Sequence, residues 1–205
     1  MSKIVDNQNA ILKSSLSEAL KNSIALDVCV GYFNARGWNH ISGSLAQIRV
    51  RADQNPIRLL VGMAVPEKFA EQKSLETDFV HAAIGDDVDF QVASRRAKAA
   101  VLDFAEQLTW GLPSLSAARA VRTLLQDLKS GVVSVKFAAR RRLHAKLYLC
   151  HMDGGAQGFT AFVGSSNFTS NGLQNSGELN LEETDREKGK ELATWFNDHW
   201  FDNFA

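Results

Sequence analysis

Between Asn7 and Met63 the chain changes its hydrophobic period several times, and this constrains the fold more than any other feature. Leu12, Leu16 and Leu20 recur at four-residue spacing through Asn7 to Asn22, which predicts an amphipathic helix. Ile24 to Val30 then reads as a buried strand, the stretch near Trp38 to Ile48 as a second helix, and Ile57 to Met63 as another apolar strand. Helices alternating with strands predict an α/β domain, a mixed sheet flanked by helices.

The pattern from Pro66 to Lys129 is mostly helical and rich in Ala and Leu, with breaks at Gly85-Asp86-Asp87 and Gly111-Leu112-Pro113. Val133, Val135 and Phe137 alternate with polar residues and return the chain to the sheet. In Leu143 to Leu149 apolar residues again alternate, which predicts a strand with one buried face and sends His144 and Lys146 out of the other. A loop containing Asp153-Gly154-Gly155 separates this strand from Phe159 to Val163, so a hairpin is expected. Glu178 to Glu182 reads as the last strand. Thr184-Asp185-Arg186-Glu187 has the form of a capping box, and Leu192, Trp195, Phe196, His199 and Trp200 make a core-facing stripe on the helix after it.

A chain of 205 residues, 45% hydrophobic, suits one domain with a sizeable core. The 23 basic and 23 acidic residues cancel, so the overall field gives no argument for nucleic acid and any such argument must be local. Cys29 and Cys150 sit in apolar runs, as buried thiols of a reducing compartment do, and a cytoplasmic protein is expected. The N-terminus lacks the apolar core of a signal peptide, and no run approaches the ~20 apolar residues of a membrane span.

The chemistry concentrates late in the chain. Neutral imidazole, with a pKa near ~6.5, can attack phosphorus without a metal to deprotonate it, so His144 is the candidate nucleophile. Lys146 supplies a fixed cation for the charge that builds on the phosphoryl oxygens. Glu178 is the candidate carboxylate for the far ring nitrogen. Gly164-Ser165-Ser166-Asn167 follows a strand; its small residues let backbone amides approach a phosphate, and the Asn167 side chain adds a donor.

These residues resemble the phospholipase D superfamily, whose signature is His-x-Lys followed by a Gly/Ser-rich turn ending in Asn. His144-Ala145-Lys146 and Gly164-Ser165-Ser166-Asn167-Phe168-Thr169 carry the likeness, and Asn175-Ser176-Gly177-Glu178 is similar to the segment that follows in the small bacterial nucleases. The resemblance implies a phospholipase D-like fold with one motif copy per chain. It assigns His144 as nucleophile, Lys146, Ser165, Ser166 and Asn167 to phosphate binding, and Glu178 as orienting acid. It expects an Asp five residues after the Lys, where this chain has His151. Members with two motif copies pair two histidines in one site; a single copy therefore implies a homodimer in which His144 of each chain faces the same phosphate. Asp27 to Phe33 and Arg58 to Gly62 resemble the front half of phospholipase D-like domains at the N-terminus of helicase-like proteins. Residues 1–205 are on that basis expected to be one such domain, with a fused helicase as a partner.

Arg140-Arg141-Arg142, just before His144, suits DNA phosphates. The function expected is a metal-independent DNA nuclease with no cofactor; the alternatives are a weakly catalytic or non-catalytic DNA-targeting module of a helicase or restriction system, and a phospholipid phosphodiesterase. No paired Cys or His set suggests zinc. His40, His81 and His199 read as surface or core histidines, and Tyr32 and Phe33 as packing residues.

Overall fold

The computed structural model describes residues 2–51, 56–62, 94, 98, 101–102, 104–105, 114–138, 143–153, 158–175 and 177–202. Among the described residues seven strands form one mixed sheet: β1 (Lys3–Val5), β2 (Ser23–Val30), β3 (Ile57–Val61), β4 (Val133–Phe137), β5 (Leu147–Met152), β6 (Phe159–Gly164) and β7 (Asn180–Glu183). Their spatial order is β1-β7-β6-β5-β2-β3-β4. β2, β3 and β4 run parallel, while β5, β6, β7 and β1 are antiparallel to their neighbours. The C-terminal ends of β2 and β3 therefore lie at the same end of the sheet as the start of β5 and the end of β6.

Helices cover both faces. On one, α1 (Leu12–Leu20), α2 (Ala35–Ile41), α3 (Ala46–Arg51) and α4 (Leu115–Lys129) pack over Leu26, Val28, Val30, Leu59, Tyr148 and Phe162. On the other, α6 (Arg186–Trp200) lays Phe196 and Trp200 against Cys29, Leu60, Leu147, Leu149 and Ala161. The short α5 (Ser170–Gln174) follows β6. Cys29 and Cys150 fall in these two different core layers, both buried as free thiols. Both faces of the sheet centre are buried, which is why β2 and β5 read as nearly continuous apolar runs.

The α/β reading stands, with corrections at the boundaries. The first helix begins at Leu12, not Asn7, because Asn7 adopts a left-handed φ of 56° and its Oδ1 accepts the Leu12 N–H at 2.7 Å. Its terminus is thus capped from five residues upstream. The second helical stretch is two helices, α2 and α3. The predicted strand from Leu143 starts only at Leu147, and Leu147 to Cys150 are buried on both sides. The last strand lies two residues later than expected at its start. Asp185, not Thr184, caps α6, its Oδ1 accepting from Glu187 N and Lys188 N at 3.0 Å each. β1 was not foreseen, since three residues carry no period; it pairs with β7 through Lys3, Ile4 and Val5. Of the segment 66–129, α4 is helical as expected, while the breaks at 85–87 and 111–113 lie outside the described residues.

Candidate active site

Two glycines at the ends of the parallel strands make room for the histidine. A Cβ on Gly62 would lie 1.7 Å from the Leu143 carbonyl oxygen, so residue 143 can cross the end of β3 only over a bare Cα. One residue on, the exposed His144 ring lies over Gly31 at the end of β2: a Cβ there would meet His144 Cδ2 at 3.3 Å and Asn167 Oδ1 at 3.2 Å. Gly31 thus touches both the imidazole and the amide. Sequence reasoning assigned neither glycine a role, although a Gly directly after each apolar strand is the visible signal of a close approach.

His144 and Lys146 precede β5 instead of standing on it. Lys146 is buried at 6% exposure, and its Nζ donates to the His144 carbonyl at 2.8 Å. Burial lowers the Lys146 pKa, while the neighbouring Glu178 carboxylate and the Cys29 thiol oppose that shift. The expected exposed cation is therefore a sheltered one, held close to the backbone of the candidate nucleophile.

The turn after β6 is fastened to the chain leaving β2. Phe168 N donates to Tyr32 O at 3.1 Å, and Asn34 N donates to Phe168 O at 3.0 Å. Tyr32 N donates to Asn167 Oδ1 at 2.9 Å, which turns the Asn167 Nδ2 donor away from that contact. Phe33 packs against Trp38, Phe104 and Phe168, as a core residue. Ser165 Oγ accepts from Leu179 N at 3.0 Å and donates to Glu178 Oε2. Glu178 is thus bound to Ser165 rather than to the His144 ring. Ser166 faces the other way: it is fully buried, its Oγ accepts from Asn180 Nδ2 at 2.8 Å, and its carbonyl accepts the Tyr148 hydroxyl at 3.1 Å. Its side chain supports the turn from beneath.

At the position where an Asp was expected, His151 Nε2 makes a 2.6 Å contact with Asp27 Oδ2 on the neighbouring strand. Arg58 Nε and Nη2 donate to the same carboxylate at 2.6 and 2.7 Å, Arg58 Nη1 reaches Asn197 Oδ1 at 2.9 Å, and the guanidinium lies 4.9 Å from the Phe196 ring centroid. Burial would raise the Asp27 pKa, but the bonds from His151 and Arg58 outweigh it and hold the carboxyl below its usual range. The acid has moved to β2, and the network joins three strands to α6.

Arg140, Arg141, Arg142 and His81 lie outside the described residues. His40, on α2, is bonded to Ser170 and Gln174 of α5, and the His199 ring lies tilted against Trp195. Among the described residues no group of three or more His, Cys, Asp or Glu is placed to hold a metal, and no helix is long and apolar enough to cross a membrane.

Residues 16–200 match the family model described as "Cardiolipin synthase, PLD-like domain". No curated protein matches the chain. Among solved structures, NucT from Helicobacter pylori is similar over 98% of this chain and 95% of its own, with a TM-score of 0.52 and 11% identity. The phosphatidylserine synthase of Haemophilus influenzae Rd KW20 is similar over 97% of this chain and 37% of its own, with a TM-score of 0.53 and 14% identity. At such identities these two likenesses show a shared fold, whereas the family match spans nearly the whole chain and includes the His-x-Lys segment, the turn and Glu178. The chain is a member of the PLD-like domain family, within the phospholipase D superfamily of phosphodiester-cleaving proteins.

Proposed function

We propose that the protein is a metal-independent phosphodiesterase of the nuclease branch, cleaving DNA through a phosphohistidine in a site completed by a second copy of the chain. The observation that carries this reading is a convergence at one end of the sheet: an imidazole over Gly31, a buried lysine, an amide oriented by Tyr32 and a serine-bound carboxylate. In the proposed reaction a neutral His144 nitrogen attacks phosphorus and the bond to the leaving oxygen breaks. The second copy's His144 ring gives that oxygen its proton. Water then attacks the phosphohistidine, passing a proton back to the second ring and freeing the phosphate end. Lys146 and Asn167 Nδ2 stabilise the charge on the nonbridging oxygens, a contribution that in comparable sites amounts to about 10²–10³-fold per donor. Glu178, through Ser165 and its field on Lys146, sets the electrostatics of the turn. Imidazole is a nucleophile at neutral pH as it stands, so no cofactor enters the scheme.

Arg140, Arg141 and Arg142 are assigned to the DNA backbone because three consecutive cations one residue short of the nucleophile suit a polyanion. The domain is placed in the cytoplasm, as the DNA-processing part of a helicase-like polypeptide. Two buried free thiols fit a reducing compartment. A lipid substrate is the second reading: the family description and one fold neighbour both name phospholipid-synthesising enzymes, and the same chemistry serves a phosphatidyl group.

The test is incubation with plasmid and with single-stranded oligonucleotide in EDTA, with His144→Ala in parallel. Cleavage by wild type alone, with a trapped phosphohistidine, is the expected result. Binding by both proteins without cleavage turns the assignment to a DNA-targeting module. Headgroup release from phospholipid vesicles turns it to the lipid reading.

A further inference from the structure

The turn after β6 spends its N–H groups inside the protein. Gly164 N donates to Lys146 O at 3.2 Å, Ser165 N to Leu179 O at 3.0 Å, Ser166 N to Asn180 Oδ1 at 3.4 Å, Phe168 N to Tyr32 O at 3.1 Å and Thr169 N to Asn167 O at 2.8 Å. The backbone cradle expected from the small residues of the turn is thus largely occupied. A phosphate arriving there depends on the side chains that leave the turn, and so on their directions.

Those directions are set at Ser166, the buried residue between an exposed Ser165 and a half-buried Asn167. Side chains from the strands on either side of β6 hold it. Asn180 of β7 gives its Nδ2 to Ser166 Oγ at 2.8 Å and takes the Ser166 N–H on Oδ1, while Tyr148 of β5 donates its hydroxyl to the Ser166 carbonyl at 3.1 Å. Every polar group of Ser166 is thereby engaged, and Ser166, Tyr148 and Asn180 are all at most 2% exposed.

Gly164 makes room for the amide. It pairs with Asn180 across β6 and β7, and a Cβ on it would fall 2.6 Å from Asn180 Oδ1 and 2.1 Å from the Leu179 carbonyl oxygen. The glycine that opens the turn therefore admits the side chain that anchors it.

A buried amide is costly unless it is bonded, and a buried polar network with its bonds made fixes one geometry where apolar packing tolerates several. Here the geometry fixed is that of the inward residue of a turn whose neighbours carry the candidate chemistry. Ser165 bonds Glu178 on one side, and Asn167 is oriented by Tyr32 on the other. A Ser166 free to slip would rotate both.

We infer that Asn180, with Tyr148 opposite it, is a positioning residue of the phosphate site: by locking Ser166 inward it sets the directions in which Ser165 and Asn167 leave the turn. The inference rests on the nuclease reading above and adds to it two buried residues that act through Ser166.

Steady-state cleavage of an oligonucleotide by Asn180→Ala and Tyr148→Phe tests it, with thermal melting to confirm folding. The side-chain amide signals of Asn167, in chains carrying isotopically labelled asparagine, are followed in parallel as inorganic phosphate is added. Asn180→Ala is expected to lower kcat about 10-fold or more and Tyr148→Phe ~3-fold or more, with KM within a few-fold of wild type, because misplacement costs the reacting state more than binding. Phosphate should shift the Asn167 signals in wild type and shift them less than half as far in both variants. Folded variants with kcat within about twofold of wild type, or with a raised KM alone, overturn the positioning role and leave the nuclease reading standing. If Asn180→Ala does not fold, Tyr148→Phe decides, since it keeps the buried ring and removes only the hydroxyl. A wild type that binds phosphate but does not cleave overturns the nuclease reading, and the amide shifts alone then decide the positioning role. A wild type that neither cleaves nor responds to phosphate overturns both.

Discussion

The Asn167 side-chain oxygen accepts the Tyr32 backbone N–H at 2.9 Å, across 135 residues of chain. This bond holds the turn after β6 against the end of β2 and decides which end of the amide is left for another partner. Asn167→Asp keeps the acceptor toward Tyr32 but replaces the Nδ2 donor with a second anionic oxygen. Activity on oligonucleotide is expected to fall by about 10²–10³-fold, while the urea midpoint changes little. A variant within a few-fold of wild type would remove Asn167 from the phosphate site.

Gly31 and Gly62 should respond differently to alanine. At Gly31 the new Cβ meets side-chain atoms at 3.2 and 3.3 Å, so His144 and Asn167 shift by a few tenths of an ångström and the fold survives. The expected result is ~10-fold or greater loss of kcat at nearly unchanged melting temperature. At Gly62 the Cβ falls 1.7 Å from a backbone oxygen, which cannot yield without moving the entry to β5. Gly62→Ala is expected to lose several kcal/mol of stability, of the order seen for severe overpacking. Equal effects from the two substitutions in paired melting and kinetic assays would contradict this division.

The carboxylate of the buried Asp27 is held from two neighbouring strands by Arg58 and His151. Asp27→Ala leaves the Arg58 guanidinium and the His151 ring without their carboxylate. A cost of about 3–5 kcal/mol in chemical denaturation is expected. The pKa of Asp27 is lowered in the folded protein, so the unfolded state binds its proton first as pH falls. Its contribution is complete above the unfolded carboxyl value of ~3.9 and is lost below it. Acid titration of stability should therefore steepen below that value in wild type and flatten in Asp27→Ala.

His40 should give a second, milder acid dependence. Lys13 Nζ can only donate, so Gln174 turns Oε1 to it at 3.3 Å and presents Nε2 to His40 Nε2 at 2.8 Å. That contact requires an unprotonated acceptor nitrogen on His40, with the ring proton on Nδ1. Burial first, and Lys13 second, lower the His40 pKa. Because the unfolded chain then binds the proton more readily, stability rises with pH and is lost as pH falls below ~6.5. His40→Gln should flatten the unfolding free energy in the window just below that pH, and an unaltered profile would assign the sensitivity elsewhere.

Much of this was legible in the linear chain. Periodicity in Leu12, Leu16 and Leu20, in Val133, Val135 and Phe137, and in Leu192, Phe196 and Trp200 marked helices and strands whose buried faces the fold then used. It failed where a contact from afar set the boundary. Asn7 reaching to Leu12 shortened α1, and the approach of Leu143 to Gly62 goes with a β5 that starts four residues late. Of the candidate site, His144, Lys146, Asn167, Ser165 and Glu178 were visible as residue types in order. Their partners were not: Ser165 for Glu178, Tyr32 for Asn167 and Asp27 for His151 all come from distant chain or from another strand.

The amino-acid sequence by itself determined the α/β class and the chemical inventory, because hydrophobic period and side-chain type are local properties that each segment carries wherever it folds. Only the tertiary structure decided that Lys146 is sheltered, that Ser166 supports the turn from within, and that Gly31 floors the His144 ring. Those outcomes depend on which segments β2, β5 and β6 bring to one end of the sheet, and pairing over more than a hundred residues leaves no periodic trace in the chain that makes it.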